Sequence, residues 1–147
     1  MLHMTGKNNF DKEARSTAEE TAAKGELVYR AVPFIKRMDL ALAVADLALS
    51  RAGAGTVAEL VAAGLPAVLV PFPHATGGHQ EKNARALAQA GAVTVVPQSG
   101  TFADEAVGFA IELLDDEGEL AVMKEAARAA ARPDGAKGIA KLLQELT

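Results

Sequence analysis

Short, continuous apolar runs alternate along this chain with stretches whose apolar residues recur at helical spacing, and this alternation narrows the possible folds more than any other feature. Residues 2–4, 27–31, 47–50, 67–70 and 93–96 read as strands. Residues 12–24, 37–45, 56–63, 80–90, 102–114, 119–132 and 136–146 read as helices. Gly64 and Pro66 stop one helix and Gly91 another. Strands that are apolar throughout, rather than on alternate residues, are covered on both faces. The expected fold is therefore α/β, a doubly wound parallel sheet of Rossmann-like type. Such sheets bind ligands beyond the C-terminal ends of their strands. A length of 147 residues suits one domain, 1–147. Nucleotide domains of this class ordinarily open with a strand, a glycine-rich turn and a helix. Here the first strand follows residue 1 directly, so that first strand and its Gly-rich loop are expected to be missing. The acidic run Asp115-Asp116-Glu117-Gly118 is expected to be a loop within the domain.

Composition removes several functions. Half of the residues are hydrophobic and only 4% aromatic, so the core must be built largely from small side chains suited to close helix-on-sheet packing. The net charge of −4, with Lys and Arg scattered, is not the footprint of a nucleic-acid binder or of a polybasic membrane anchor. The absence of cysteine excludes disulfides and thiolate zinc sites and fits a cytoplasmic protein. Residues 1–7 hold too few apolar side chains for a signal peptide. The most apolar region, residues 40–73, is interrupted by Asp46, Arg51 and Glu59, so no transmembrane segment is expected.

Three segments carry candidate chemistry. In Ser50-Arg51-Ala52-Gly53-Ala54-Gly55-Thr56-Val57-Ala58-Glu59 a strand ends, small residues follow and a helix begins. Small side chains admit a ligand close to the backbone, and a helix start offers unpaired N–H groups to a diphosphate. Thr56-x-x-Glu59 equally fits a capping box, and on local sequence alone capping outweighs binding. In Pro71-Phe72-Pro73-His74-Ala75-Thr76-Gly77-Gly78-His79-Gln80-Glu81-Lys82-Asn83 a Pro/Gly-rich loop feeds a helix. Gln80 and Asn83, three apart, place two amides on one helical face, and amides can read sugar hydroxyls; a solvated first turn is the alternative. His74 and His79 lack a third nearby ligand, so no metal site is expected. In Arg30-Ala31-Val32-Pro33-Phe34-Ile35 an apolar loop could hold a flat base, or Phe34 and Ile35 could simply pack in the core. Thr5-Gly6-Lys7 lacks the upstream glycines of a Walker motif and reads as a turn.

The ordered set of these segments resembles the C-terminal domain of glycosyltransferase family 28, the MurG family of UDP-N-acetylglucosamine:lipid I N-acetylglucosaminyltransferases. The resemblance rests on residues 2–7, Pro33-Phe34-Ile35 with Met38, Ala45-Asp46-Leu47, Ser50-Arg51-Ala52-Gly53-Ala54, Thr56-Val57-Ala58-Glu59-Leu60, Ala63-Gly64-Leu65-Pro66-Ala67, Val70-Pro71-Phe72-Pro73-His74-Ala75, and His79-Gln80 with Asn83-Ala84. It implies the donor-binding half of a GT-B enzyme that transfers N-acetylglucosamine from UDP-GlcNAc to lipid I in peptidoglycan synthesis. It further implies that Glu59 holds the ribose hydroxyls and that the backbone of Ala54, Gly55 and Thr56 faces the diphosphate. Ile35 would offer backbone groups to uracil, and His79, Gln80 and Asn83 would reach the sugar. UDP-GlcNAc is then a substrate, with no cofactor and no metal. Lipid I, the catalytic base and the membrane-docking surface belong to an N-terminal domain outside this chain, at the cytoplasmic face of the plasma membrane. The family commonly has a bulkier residue at Gly55 and acidic residues at Gly77 and Gly78. The isolated chain is expected to bind UDP-sugar weakly at most and not to turn over. Two other readings stand beside this one: a separate donor-binding subunit of a split glycosyltransferase, and a non-catalytic nucleotide-binding module. NAD is disfavoured, since no GxGxxG opens a strand–helix unit.

Overall fold

Turn chemistry decides where the elements stop, and apolar burial decides what they cover. The computed structural model describes residues 1–10, 28–132 and 134–145. The helix expected over residues 12–24, and residue 27 of the second expected strand, lie outside the described residues. The chain divides into two compact units, Met1–Ala41 and Leu42–Thr147.

In the N-terminal unit, β1 (Leu2–Met4) pairs in parallel with β2 (Arg30–Val32), in the register Leu2 to Arg30 and Met4 to Val32. The Thr5 N–H extends this ladder to the Val32 carbonyl at 3.0 Å. Thr5-Gly6-Lys7 then leaves the strand, with Gly6 at φ 76°, as the turn reading requires. Helix α1 (Met38–Val44) begins at the end of this unit.

The C-terminal unit carries β3 (Ala48–Ser50), α2 (Ala54–Ala63), β4 (Ala67–Leu69), a single 3-10 turn (Thr76–Gly78), α3 (His79–Gln89), β5 (Val93–Val95), α4 (Phe102–Asp115), α5 (Glu117–Ala130) and α6 (Gly135–Glu145). Its three strands are parallel in the order β3-β4-β5. Every pairing described in the two sheets is parallel, as in a doubly wound fold.

Strand β4 is buried along its whole length, as its unbroken apolar run predicts. Its side chains alternate between two cores. Ala67 and Leu69 pack with Leu60, Val61, Ala84, Leu87 and Ala127, on the side of α2, α3 and α5. Val68 and Val70 pack with Val96, Ala106, Leu113 and Met123, on the side of α4. Helices therefore cover both faces of this sheet, and the fully buried Ala52, Ala84 and Ala92 show the small side chains at its close approaches. Deleting the side chain of a buried leucine such as Leu60 or Leu69 would cost about 2–5 kcal/mol.

Two local expectations change. Helix α2 starts at Ala54, two residues before the expected start at Thr56. The acidic run 115–118 is not a loop but a tight junction: Asp115 ends α4, Asp116 caps α5, and α5 begins at Glu117. The Asp116 carboxylate accepts the Glu119 N–H at 2.9 Å, which lets one helix follow another without an intervening turn.

Candidate functional site

Strands β3 and β4 both run out of the sheet into small-residue or Pro/Gly-rich segments, and each then feeds a helix start. At the first, the N-cap of α2 is Gly53, in an extended conformation (φ −63°, ψ 147°) and without a side-chain cap. The first intrahelical bond runs from the Val57 N–H to the Gly53 carbonyl at 2.9 Å. The N–H groups of Ala54, Gly55 and Thr56 consequently have no acceptor within the helix. Ala54 and Gly55 are exposed and Thr56 is half-buried. A Cβ at Gly55 would meet nothing within 4 Å, so the bulkier residue common in the family would be accommodated here too.

The early start of α2 disposes of the capping box. Thr56 sits at the third helical position instead of at the cap, and Glu59 lies beyond the reach such a box needs. Among the described residues the Glu59 side chain has no hydrogen bond or ion pair, and Glu59 is exposed. It follows Gly55 by four residues and Thr56 by three, so it shares their helix face. Helical side chains lean toward the N-terminus, which directs this carboxylate toward the open N–H groups.

At the second helix start, Gly77 (φ 62°) and Gly78 (φ 64°) both adopt the left-handed conformation that glycine tolerates best. The acidic residues usual in the family would be strained in this geometry. His79 opens α3 and is exposed. Gln80 and Asn83 are half-buried, and each uses one half of its amide on the scaffold. Gln80 Oε1 accepts the Phe72 N–H at 2.9 Å, and Asn83 Nδ2 donates to the Ala52 carbonyl at 3.2 Å. A donor partner and an acceptor partner fix the two amide orientations. The Gln80 NH2 group and the Asn83 carbonyl oxygen are left without a partner among the described residues. Asn83 also ties the start of α3 to the residue just before the cap of α2. The two helix starts, with Ala54, Gly55, Thr56, Glu59, His79, Gln80 and Asn83, therefore form one shelf at the C-terminal ends of β3 and β4.

Sequence reasoning did not single out Arg51. Its Nη1 donates to the Val70 carbonyl at 3.1 Å and to Gln98 Oε1 at 2.5 Å, and its Cζ lies 5.7 Å from the Phe72 ring centroid. The signal available was a lone cation directly after an apolar strand. A groove of about 280 Å3, lined by Leu49, Val70, Phe102 and Ala106 among others, lies on the α4 side of Arg51. No residue of α2 or α3 lines it, so the shelf is an open surface and not this cavity.

Ile35 lies in the N-terminal unit, in the loop between β2 and α1, and is half-buried. Its neighbour Phe34 is 62% exposed, which removes core packing as the reason for an aromatic there. Among the described residues, no three His, Cys, Asp or Glu side chains cluster in a way that could hold a metal ion. None of the described helices is long and apolar enough to cross a membrane.

Comparison with known proteins agrees with this architecture. Residues 1–139 match the glycosyltransferase family 28 C-terminal domain. The chain is 47% identical over 146 residues to the UDP-N-acetylglucosamine–N-acetylmuramyl-(pentapeptide) pyrophosphoryl-undecaprenol N-acetylglucosamine transferase of Methylococcus capsulatus, covering 97% of this chain and 39% of that protein. Against the transferase of the same name from Solibacter usitatus it is 42% identical, covering 99% of this chain and 38% of that protein. The crystal structure of Acinetobacter baumannii MurG superposes with a TM-score of 0.82 at 34% identity, covering 98% of this chain and 40% of that one. The chain thus spans about two fifths of the length of these relatives. With its family pattern present across nearly all of its length, its three-stranded parallel sheet covered by helices on both faces, and its helix starts at the strand ends, the chain belongs to the glycosyltransferase family 28 C-terminal domain family.

Proposed function

We propose that this chain binds UDP-N-acetylglucosamine and supplies the donor-binding half of an inverting transferase that glycosylates lipid I in peptidoglycan synthesis. The observation that carries the proposal is the uncapped start of α2, with an exposed, unpartnered Glu59 on the same helix face. Three free N–H groups and the positive end of the helix dipole suit a diphosphate. A carboxylate one turn away suits the vicinal hydroxyls of ribose. His79, the Gln80 NH2 group and the Asn83 carbonyl suit the hydroxyls of the sugar. The proposal assigns uracil to the backbone of Ile35 on the family resemblance alone.

In the reaction, the acceptor hydroxyl forms a bond to the anomeric carbon as the bond from that carbon to the diphosphate breaks. UDP leaves with increased negative charge, and the N–H groups of Ala54, Gly55 and Thr56 stabilise it as preorganised dipoles. The proton of the attacking hydroxyl goes to a base that none of these residues provides. Acceptor binding, that base and attachment at the cytoplasmic face of the membrane belong to the remainder of the enzyme. UDP-GlcNAc is a substrate in this scheme, and no metal or cofactor takes part.

Calorimetric titration of the purified chain with UDP, UDP-GlcNAc and NAD tests the reading. Weak binding of both uridine nucleotides, and none of NAD, is expected. Glu59→Gln should weaken both by about tenfold or more, since a hydrogen bond to a charged group contributes about 1.5–3 kcal/mol. Unchanged affinity in Glu59→Gln would remove the ribose role. Transfer to lipid I by the chain alone would refute the division of labour.

A further inference from the structure

The Arg51 guanidinium joins three successive strand ends of the C-terminal unit. Val70 directly follows β4, Gln98 lies in the segment after β5, and Phe72 opens the loop that leads to α3. Phe72 has three further contacts; its carbonyl accepts the Ala75 N–H at 3.2 Å within the loop. Its backbone N–H donates to Gln80 Oε1 at 2.9 Å, and its ring meets the His74 ring edge-on at 5.7 Å between centroids. Arg51 and Gln80 are therefore linked through one residue. His74 lies in the same loop, so of these two ring contacts only the one with Arg51 reaches the strand ends.

We propose that Arg51 is a positioning residue for sugar recognition: by holding the Phe72 ring against the strand ends, it keeps the Phe72 N–H on Gln80 and so aims the free NH2 group of Gln80 at the sugar of the donor. The inference rests on the donor-binding reading above. In this role Arg51 does not touch the donor. The requirement is for a planar cation that donates to two oxygens and lies over a ring at once. A lysine ammonium is a compact point charge and does not meet it. The residues that serve the diphosphate and ribose, on α2, do not depend on Phe72. Loss of Arg51 should accordingly separate recognition of the sugar from recognition of UDP.

The test compares the wild-type chain with R51K and R51A, by titration with UDP and with UDP-GlcNAc and by amide hydrogen exchange. In both variants the affinity for UDP-GlcNAc should fall about tenfold while that for UDP stays within about twofold, the scale of one lost directing hydrogen bond. Exchange at the Phe72 amide should accelerate about tenfold, with the Glu119 amide, capped by Asp116, unchanged as an internal control. Added guanidinium ion should restore Phe72 protection in R51A. An equal loss for UDP and UDP-GlcNAc would overturn the proposal in favour of direct phosphate contact. Unchanged Phe72 exchange would overturn it outright. A wild-type chain that binds neither nucleotide would refute the donor-binding reading instead, and the Phe72 exchange would still decide whether Arg51 holds the loop.

Discussion

Helices α2 and α5 pack against one another, yet their first turns are finished in opposite ways. Helix α5 satisfies itself: the Asp116 carboxylate takes the Glu119 N–H, and Glu117 and Glu119 set negative charge against the positive end of the dipole. Helix α2 has a glycine cap, no side-chain acceptor and no acidic residue in its first turn. Its other end is closed by the backbone. Gly64, at φ 63°, donates to the Val61 carbonyl and Leu65 to the Leu60 carbonyl, both at 3.0 Å, as a Schellman motif requires. So α2 is not a poorly finished helix. It is closed where it meets the next strand and open where the chain leaves β3. Capping in α5 thus serves stability, whereas the open start of α2 keeps N–H groups that no side chain of the helix satisfies, as the proposed function requires.

Closing the open start should have the largest effect. Gly53 has an ordinary negative φ, and a Cβ there would make only normal contact with Thr56 Oγ1 at 3.8 Å. Gly53→Asp should therefore fold and gain a few tenths of a kcal/mol as a cap. Its carboxylate would occupy the N–H groups and repel a diphosphate. UDP affinity should drop at least about tenfold, equivalent to 1.4 kcal/mol. Retained affinity in a folded Gly53→Asp chain would show that the diphosphate binds elsewhere.

Opening the closed start is the converse. Asp116→Ala should cost about 1 kcal/mol in urea denaturation, the usual value of a lost cap. UDP affinity should not change. A fall in affinity of similar size would mean that the two helix starts are energetically coupled, and the contrast between them would fail.

A third helix start supplies the smallest effect. Asp39, in the first turn of α1, is held by the Arg37 guanidinium at 2.6 and 2.9 Å, and both side chains are about two-thirds exposed. The hydrogen bond from Arg37 lowers the Asp39 pKa below its ordinary value. A carboxyl whose folded pKa is depressed contributes its stability above the unfolded value and loses it as pH falls through the folded one. Asp39→Asn should thus leave the melting temperature unchanged at neutral pH within error, because exposed pairs are screened. Any pH dependence from this pair should be confined to the acid side of the usual carboxylate range. A clear loss of stability at neutral pH would show that an acidic first turn matters more here than its exposure suggests.

The same contrast explains what was legible in the residues. Asp116 lies in a run of acids that reads as a loop, because a helix that restarts after one residue leaves no turn residues to mark it. Gly53 is harder still. A glycine caps through its carbonyl alone, so the true start of α2 carries no side-chain signal, while Thr56 and Glu59 imitate a capping box two residues later. The residues of the shelf nonetheless stand out as candidates, because small side chains after a strand and paired amides at a helix start are local patterns tied to a known family. Arg51 belongs to no such pattern, because its partners Val70, Phe72 and Gln98 lie far along the chain.

Taken by itself, the chain of residues determined the kind of fold. Unbroken apolar runs require cover on both faces, alternation along residues 67–70 divides those side chains between two cores, and glycines and prolines end the helices. Only the tertiary structure decided which polar groups serve the scaffold and which stay free. Asn83 reaches Ala52 across 31 positions and Arg51 reaches Gln98 across 47. Such pairings follow from strand order and from where each strand ends, and local periodicity carries neither. Half of each amide is spent on the scaffold for that reason, and the remaining half, with Glu59 and the bare start of α2, is what the fold leaves unpaired among the described residues.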